Sequence, residues 1–289
     1  MTKEELIKKI EGFVEESPFN FVAEEDAILP EYAGMRIFEK PLVGFSAADD
    51  RIYYDDFKKE GIVSPKYLSP AEWLPEAKTV ISVFLPFTER VRESNRTEKD
   101  TPYEPGLTQK CSTEWLHARI EGHIFIDVLM EYIGKLLNNE GKKTVCPAVS
   151  DRFGMVEQHV SNWSERHAAY ASGLGTFGLS RGIITEKGMA GRIGSIITDG
   201  EFEPDVRPYE NPFEYCLMCG ACQRRCPVSA IDITRGCALG KDQDICDSQI
   251  HISHLPAHGP NARVRYGCGK CQTKVPCEHR IPKKPDSSI

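Results

Sequence analysis

Apolar residues at Leu6, Ile7, Ile10, Phe13 and Val14 recur at helical spacing and predict an amphipathic helix over residues 3–15, with Thr2 and Glu5 as its capping box. Residues 41–50 read as a short buried strand running into a polar loop. The run Lys78–Pro86 is continuous and β-branched, which predicts a core strand covered on both faces. Residues 88–112 lose that pattern: they are charged and polar, with Pro102 and Pro105, a long excursion of functional or mobile kind. A long helix follows, roughly Thr113 to Asn139, with Leu116, Ile120, Ile124, Val128 and Leu137 as its core stripe. A short strand at 143–147, a helix over 161–172 ended by Gly173, and a strand at 193–198 complete a mixed α/β (α+β) front domain, residues 1–210. Pro208 to Pro212 marks its border with a cysteine-rich module, 211–289. After Ile233 little regular structure is expected, because coordination there replaces a core, and the tail from Pro282 is expected to fray.

Composition changes this picture little. The chain has 289 residues, enough for a large domain plus a smaller module, and is 40% hydrophobic and 27% charged, as ordinary globular proteins are. A net charge of −7 argues against a nucleic-acid partner. No stretch approaches the ~20 apolar residues that span a membrane, and the N-terminus reads as a helix start, not a secretion signal. The expectation is a cytoplasmic protein, in which clustered cysteines mean metal or redox chemistry and not disulfides.

The chemistry is concentrated in Cys216-Leu-Met-Cys219-Gly-Ala-Cys222-Gln-Arg-Arg-Cys226-Pro227. Three thiolates at intervals of three residues curl round one iron–sulfur cube, and the fourth, before proline, turns to a neighbouring cube, as in two-cluster ferredoxins. Zinc sites usually use separated CxxC pairs instead. Downstream lie Cys237, Cys246, Cys268, Cys271 and Cys277, giving nine cysteines from Cys216 onward where two 4Fe–4S clusters need eight. Cys216, Cys219 and Cys222 would share cluster one with a distant ligand, for which Cys277, set apart by Pro276, is the natural choice. Cys226 would join downstream cysteines on cluster two. Spacing does not choose between Cys237 and Cys246. Arg224 and Arg225 are expected to screen cluster charge, and Cys111 and Cys146 to be plain packed or surface thiols.

Gly173-Leu-Gly175-Thr-Phe-Gly178 matches GxGxxG, but a helix precedes it and none clearly follows, so a dinucleotide site is not expected. Gly173 caps a helix, and the other glycines would let backbone approach a bulky cofactor. Asn162, Glu165, Arg166 and His167 put four functional side chains in two helical turns, either as a structural pair on a capped helix or as the lining of a reduction site. His117, Arg119 and Glu121 read as a solvated or intrahelical set. No P-loop is present.

The order of these segments resembles the epoxyqueuosine reductase family and its iron–sulfur relatives, the reductive dehalogenases. The matching stretches are Leu42–Asp49, Trp73–Ile81, Glu165-Arg166 leading to Gly173-Leu-Gly175, Gly194-Ser195 to Thr198-Asp199, the Cys216 motif and Gly267–Gln272. The resemblance implies a nitroreductase-like domain followed by a two-cluster ferredoxin-like module. In such proteins a cobalamin lies beside the nearer cluster and receives its electrons. Asn162, Glu165, Arg166, Gly173, Gly175, Gly178, Ser195 and Thr198 would then border the cofactor. The resemblance also favours Cys246 over Cys237, giving cluster two as Cys226, Cys246, Cys268 and Cys271.

Three departures stand out. Where the family carries an acidic proton donor this chain has His159, so the candidate donors in order are His159, His167 and Tyr170. The final CxxxCP is altered to Cys271-x5-Cys277, with proline first. Helical repeats that help hold tRNA in many members do not follow before Ile289. The expectation is a corrinoid-dependent reductase, with flavin as the alternative cofactor. It would act on a small or unidentified substrate and draw on a low-potential donor such as ferredoxin or flavodoxin. The competing expectation is an electron-transfer protein that reduces a partner protein or its corrinoid.

Overall fold

The structure is a computed structural model and describes residues 1–97, 99–100, 108–109, 111–250 and 254–283. Its first helix, α1 (Lys3–Glu16), begins at the predicted capping box: the Glu5 amide donates to Thr2 Oγ1 (3.2 Å) and the Thr2 amide to Glu5 Oε2 (2.9 Å). Leu6, Ile10 and Val14 face inward.

Four strands build the central sheet: β1 (Leu42–Ala47), β2 (Thr79–Pro86), β3 (Thr144–Val145) and, after a small hairpin of β4 (Gly175–Phe177) and β5 (Ile183–Thr185), β6 (Gly191–Thr198). Their order is β1-β2-β6-β3, every pair antiparallel. Ile81 lies between Phe45 on β1 and Ile196 on β6. All eight residues of β2 are buried, as its unbroken apolar run predicts. Alternate positions feed two cores. Ile81, Val83 and Leu85 point toward α1 and the long helix α2 (Thr113–Asn138). Val80 points with Ile197 toward Trp163, Tyr53, Tyr67 and helix α3 (Glu165–Ala171). The sheet is thus the middle of three layers.

The stripe that α2 buries is turned from the predicted one. Leu116 and Leu137 are inside, but the core is made by Phe125, Ile126, Leu129, Met130 and Ile133, leaving Ile120, Ile124 and Val128 half-buried. The helix is apolar on more than one side, so its sequence alone does not select the face the sheet takes.

Beyond Ile233 there is more regular structure than expected. After α4 (Ala221–Arg225) within the cysteine motif come a short turn of helix (Gly236–Leu239), α5 (Gln243–Ile250) and a hairpin of β7 (His254–His258) and β8 (Arg263–Tyr266). Protein contacts hold that hairpin: Leu255 enters the main core. The fully buried Arg265 donates to Glu121 (2.8 Å) and to the Asp26 carbonyl (2.8 Å). His117 Nδ1 lies 3.2 Å from Glu121. His117 and Glu121 thus make the intrahelical contact expected of them, but buried and not solvated, at a junction between α2 and β8. Burial alone would raise the Glu121 carboxyl, but His117 and Arg265 hold it below its usual value. Most of the tail beyond Pro282 lies outside the described residues.

Candidate functional site

Eight of the nine cysteines of the last third fall into two sets of four. Cys216, Cys219, Cys222 and Cys277 border one small cavity, with Met189 and Val275. Cys226, Cys246, Cys268 and Cys271 border a second cavity of about 250 Å³. The sets adjoin, since Cys222 lies within electrostatic reach of Cys271. Among the described residues no three His, Cys, Asp or Glu side chains close on a point that would hold a single ion. Thiols ringing a volume suit a cube, which is larger than one ion.

Local backbone explains the placement. Gly220 (φ +68°) and Gly269 (φ +69°) adopt left-handed turns beside Cys219 and Cys268. A Cβ on Gly269 would strike the Trp115 ring. Lys270, between Cys268 and Cys271, is buried and donates to the carbonyls of Asn95 and Thr97 (both 2.9 Å). The Asn95 side chain donates to the Cys268 carbonyl (3.1 Å). The Cys277 carbonyl accepts from the Met189 amide (2.9 Å). Arg224 and Arg225 brace backbone: Arg224 donates to the Cys219 carbonyl (3.1 Å), and Arg225 to the carbonyls of Thr273 and Asn95 (3.2 Å each).

Burial and neighbouring thiols push Cys222, Cys268 and Cys277 up to about 12. Such packing of thiols is tolerable as thiolates only around a cationic core. Cys237 lines neither cavity but touches the first set. It is buried, 3.1 Å from Met218 Sδ, and its hydrogen bond to Cys216 brings that thiol down to about 6. Cys111 is buried and donates to the Gly267 carbonyl (3.1 Å), and Cys146 is packed, with burial raising its thiol to about 12.

The second cavity is lined by more than cysteines. Its wall includes Arg119, Arg166, Arg192 and Lys241 along with Phe87 and Trp115. Arg166, on that wall, is deep enough for burial to lower it, yet remains in contact with solvent. Arg119, His123 and Asp127 follow at four-residue steps along one side of α2. Asp127 in turn adjoins Glu165. Of these three only Arg119 lines the cavity, and the other polar residues of α2, Glu114, His117, Glu121 and Glu131 among them, leave that spacing no clear signal for the wall. Arg192 and Lys241 carried none, because chain folding alone brings them here.

Of the candidate cofactor contacts, most are engaged within the protein. Asn162 donates to the Arg152 carbonyl (2.8 Å) and accepts from the Gly154 amide (3.2 Å). Ser195 accepts from the Trp163 indole (3.0 Å), and Thr198 donates to the Lys143 carbonyl (2.9 Å). Gly173 (φ +78°) closes α3, and its side-chain space faces the Val206 carbonyl. The corresponding space at Gly175 and Gly178 is taken by Ile184 across the β4–β5 hairpin. That hairpin, with no following helix, disposes of the dinucleotide motif.

Glu165 and Arg166 have polar atoms to spare. Arg166 donates to the Arg181 carbonyl (3.1 Å). Both Glu165 carboxyl oxygens are buried without a hydrogen-bond partner, and burial raises the group to about 8. The polar groups beside it, Ser195 and Trp163, are bonded to each other.

None of the candidate proton donors lines the larger cavity. His159 sits at φ +60° between the short strands Met155–Glu157 and Val160–Ser161, with Nε2 2.7 Å from Asp244 on the helix that carries Cys246. His167 packs among Phe57 and Phe177, and burial brings it down to about 3, so its ring is neutral near pH 7. Tyr170 stacks on Tyr209.

No family model matches the chain. It is 27% identical over 254 residues to epoxyqueuosine reductase of Bacillus subtilis (strain 168), covering 81% of this chain and 59% of that protein. A solved epoxyqueuosine reductase bound to a modified tRNA stem loop superposes with TM-score 0.51 at 20% identity, covering 96% of this chain and 65% of the other. In sequence the chain is similar to an epoxyqueuosine reductase, and its fold is shared by epoxyqueuosine reductases and reductive dehalogenases. A Bacillus subtilis epoxyqueuosine reductase with its catalytic aspartate loop swung out gives TM-score 0.51 at 20% identity, over 98% of this chain and 68% of that one. A catabolic reductive dehalogenase gives 0.54 at 13%, over 96% and 37%. The chain thus spans about three-fifths of the length of the curated epoxyqueuosine reductase it matches. A relative that holds a tRNA stem loop corrects the argument from net charge, which is no ground for setting nucleic acid aside.

Proposed function

We propose that this chain is an oxidoreductase of the epoxyqueuosine reductase type, with two 4Fe–4S clusters in a ferredoxin-like segment serving a cofactor in the nitroreductase-like front portion. Cys216, Cys219, Cys222 and Cys277 would hold one cluster, and Cys226, Cys246, Cys268 and Cys271 the other. The observation that carries this reading is the division of eight cysteines between two adjoining cavities, the second also lined by cationic side chains.

The clusters would supply single electrons at low potential. Cys219 is exposed, so a donor such as ferredoxin or flavodoxin can approach the first set, while the second set borders the larger cavity. A corrinoid, or alternatively a flavin, would meet Arg166 and Glu165 there and turn those electrons to substrate reduction. The Glu165 carboxyl holds a proton at neutral pH and is suited to keep it near the reacting group.

A second reading, transfer of electrons to a partner protein, draws on one observation. The position at which the family carries its acidic donor is here a surface turn, His159, paired with Asp244.

Anaerobic reconstitution should give about eight irons per chain. Cys271→Ser should leave about four, and added cob(II)alamin or flavin mononucleotide should change its spectrum on binding. About four irons or fewer in the unaltered protein would remove the proposal. Full iron with neither cofactor bound would leave only electron transfer.

A further inference from the structure

Four cationic side chains, Arg119, Arg166, Arg192 and Lys241, line the cavity beside Cys226, Cys246, Cys268 and Cys271, and no Asp or Glu lines it. Among the described residues none of the four makes an ion pair. Arg119 donates to the Tyr266 carbonyl (2.9 Å) and stacks on that ring, and Arg192 donates to the Arg119 carbonyl (2.7 Å). Arg192 Nε is buried with no partner at all. An uncompensated guanidinium in that position is costly unless something negative meets it.

A 4Fe–4S cube with four thiolates is about two units negative. It would balance about half of this charge and leave the rest in surplus. Gln243 and Gln272 add further donors to the same wall, while Phe87, Trp115 and Ile231 supply an apolar side. The cavity of about 250 Å³ includes the space the cube would take, so what is left over suits a group of a few atoms.

We propose that this cavity binds the oxyanion group, phosphate or carboxylate, of a small ligand, with Arg192 and Arg166 as its principal donors. Guanidinium groups suit both oxyanions, which they grip through paired N–H donors. The inference rests on the cluster reading for the charge that remains, and places the ligand within reach of the second cluster.

Iron-loaded protein is titrated anaerobically with inorganic phosphate and, separately, with acetate, by calorimetry and by electron paramagnetic resonance of the reduced clusters. Choline chloride serves as the control. Saturable uptake of either oxyanion, with a changed signal from one cluster, is expected. Uptake of phosphate alone assigns a phosphate-bearing ligand, and uptake of both admits a carboxylate. Arg192→Gln and Arg166→Gln should each weaken binding about ten-fold or more. Arg166 is partly exposed, so its variant reports even where Arg192→Gln fails to load iron. Loaded protein that takes up neither oxyanion, or variants with full iron and unchanged affinity, would overturn the proposal. An iron count short of eight counts against the cluster reading, whereas a full count with no oxyanion uptake counts against this cavity alone.

Discussion

A buried carboxyl without a hydrogen bond makes Glu165 sensitive to pH in a defined way. Its value in the folded protein, about 8, lies above the 4.5 of an unperturbed glutamate, so the folded chain keeps a proton that the unfolded chain gives up. The associated stability is full below about pH 4.5 and is lost as pH rises to about 8. Glu165→Gln keeps the shape without the charge. Its melting temperature relative to the parent should therefore rise between about pH 5 and pH 8, by an amount corresponding to a few kcal/mol. A constant gap would show that Glu165 ionises freely. Gly269 gives a sharper steric test. In Gly269→Ala the methyl meets Trp115 at a left-handed backbone position, so the second cysteine set should fail while the first survives. Iron should fall from about eight to about four per chain; a full complement would show that the turn adapts. The Cys216–Cys226 motif stands out in sequence because its spacing sets how the thiols are presented, whereas spacing leaves Cys237 and Cys246 equal and only the resemblance prefers Cys246. Arg192 does not stand out, since its role depends on meeting Arg119 from a distant helix.

Elements with one consistent pattern were placed within a residue or two. β2 is such a case, apolar throughout and buried throughout. α2 was placed by length and period, but its buried face was set by the sheet it meets. The β7–β8 hairpin had no distinguishing pattern, because what holds it lies about 140 residues away in Glu121. Arg265→Leu should therefore cost about 3–5 kcal/mol in chemical denaturation, as Glu121 is left buried without its cation. A loss below about 1 kcal/mol would mean that water reaches Glu121. The His159–Asp244 contact is a surface pair and should matter far less to stability.

At the scale of the molecule, the front portion has two cores of its own. The apolar groups around the cysteine sets are small, and cysteines are half of one and fewer of the other. Stripping iron with a chelator under reducing conditions should leave most of the circular dichroism of the front portion intact. It should expose residues 211–250 to protease while the β7–β8 hairpin stays docked. Cleavage spread evenly along the chain would indicate a single cooperative unit instead.

Asn95 has a consequence for assembly. Its side chain holds the Cys268 carbonyl and accepts from the Ser112 amide (3.1 Å), while its carbonyl receives Lys270. Half the thiols of the second set are thus aimed by a residue more than 170 positions earlier. A newly made chain cannot present them as a group until its first hundred residues have settled, so metal insertion becomes a late event that reads out correct folding of everything before it.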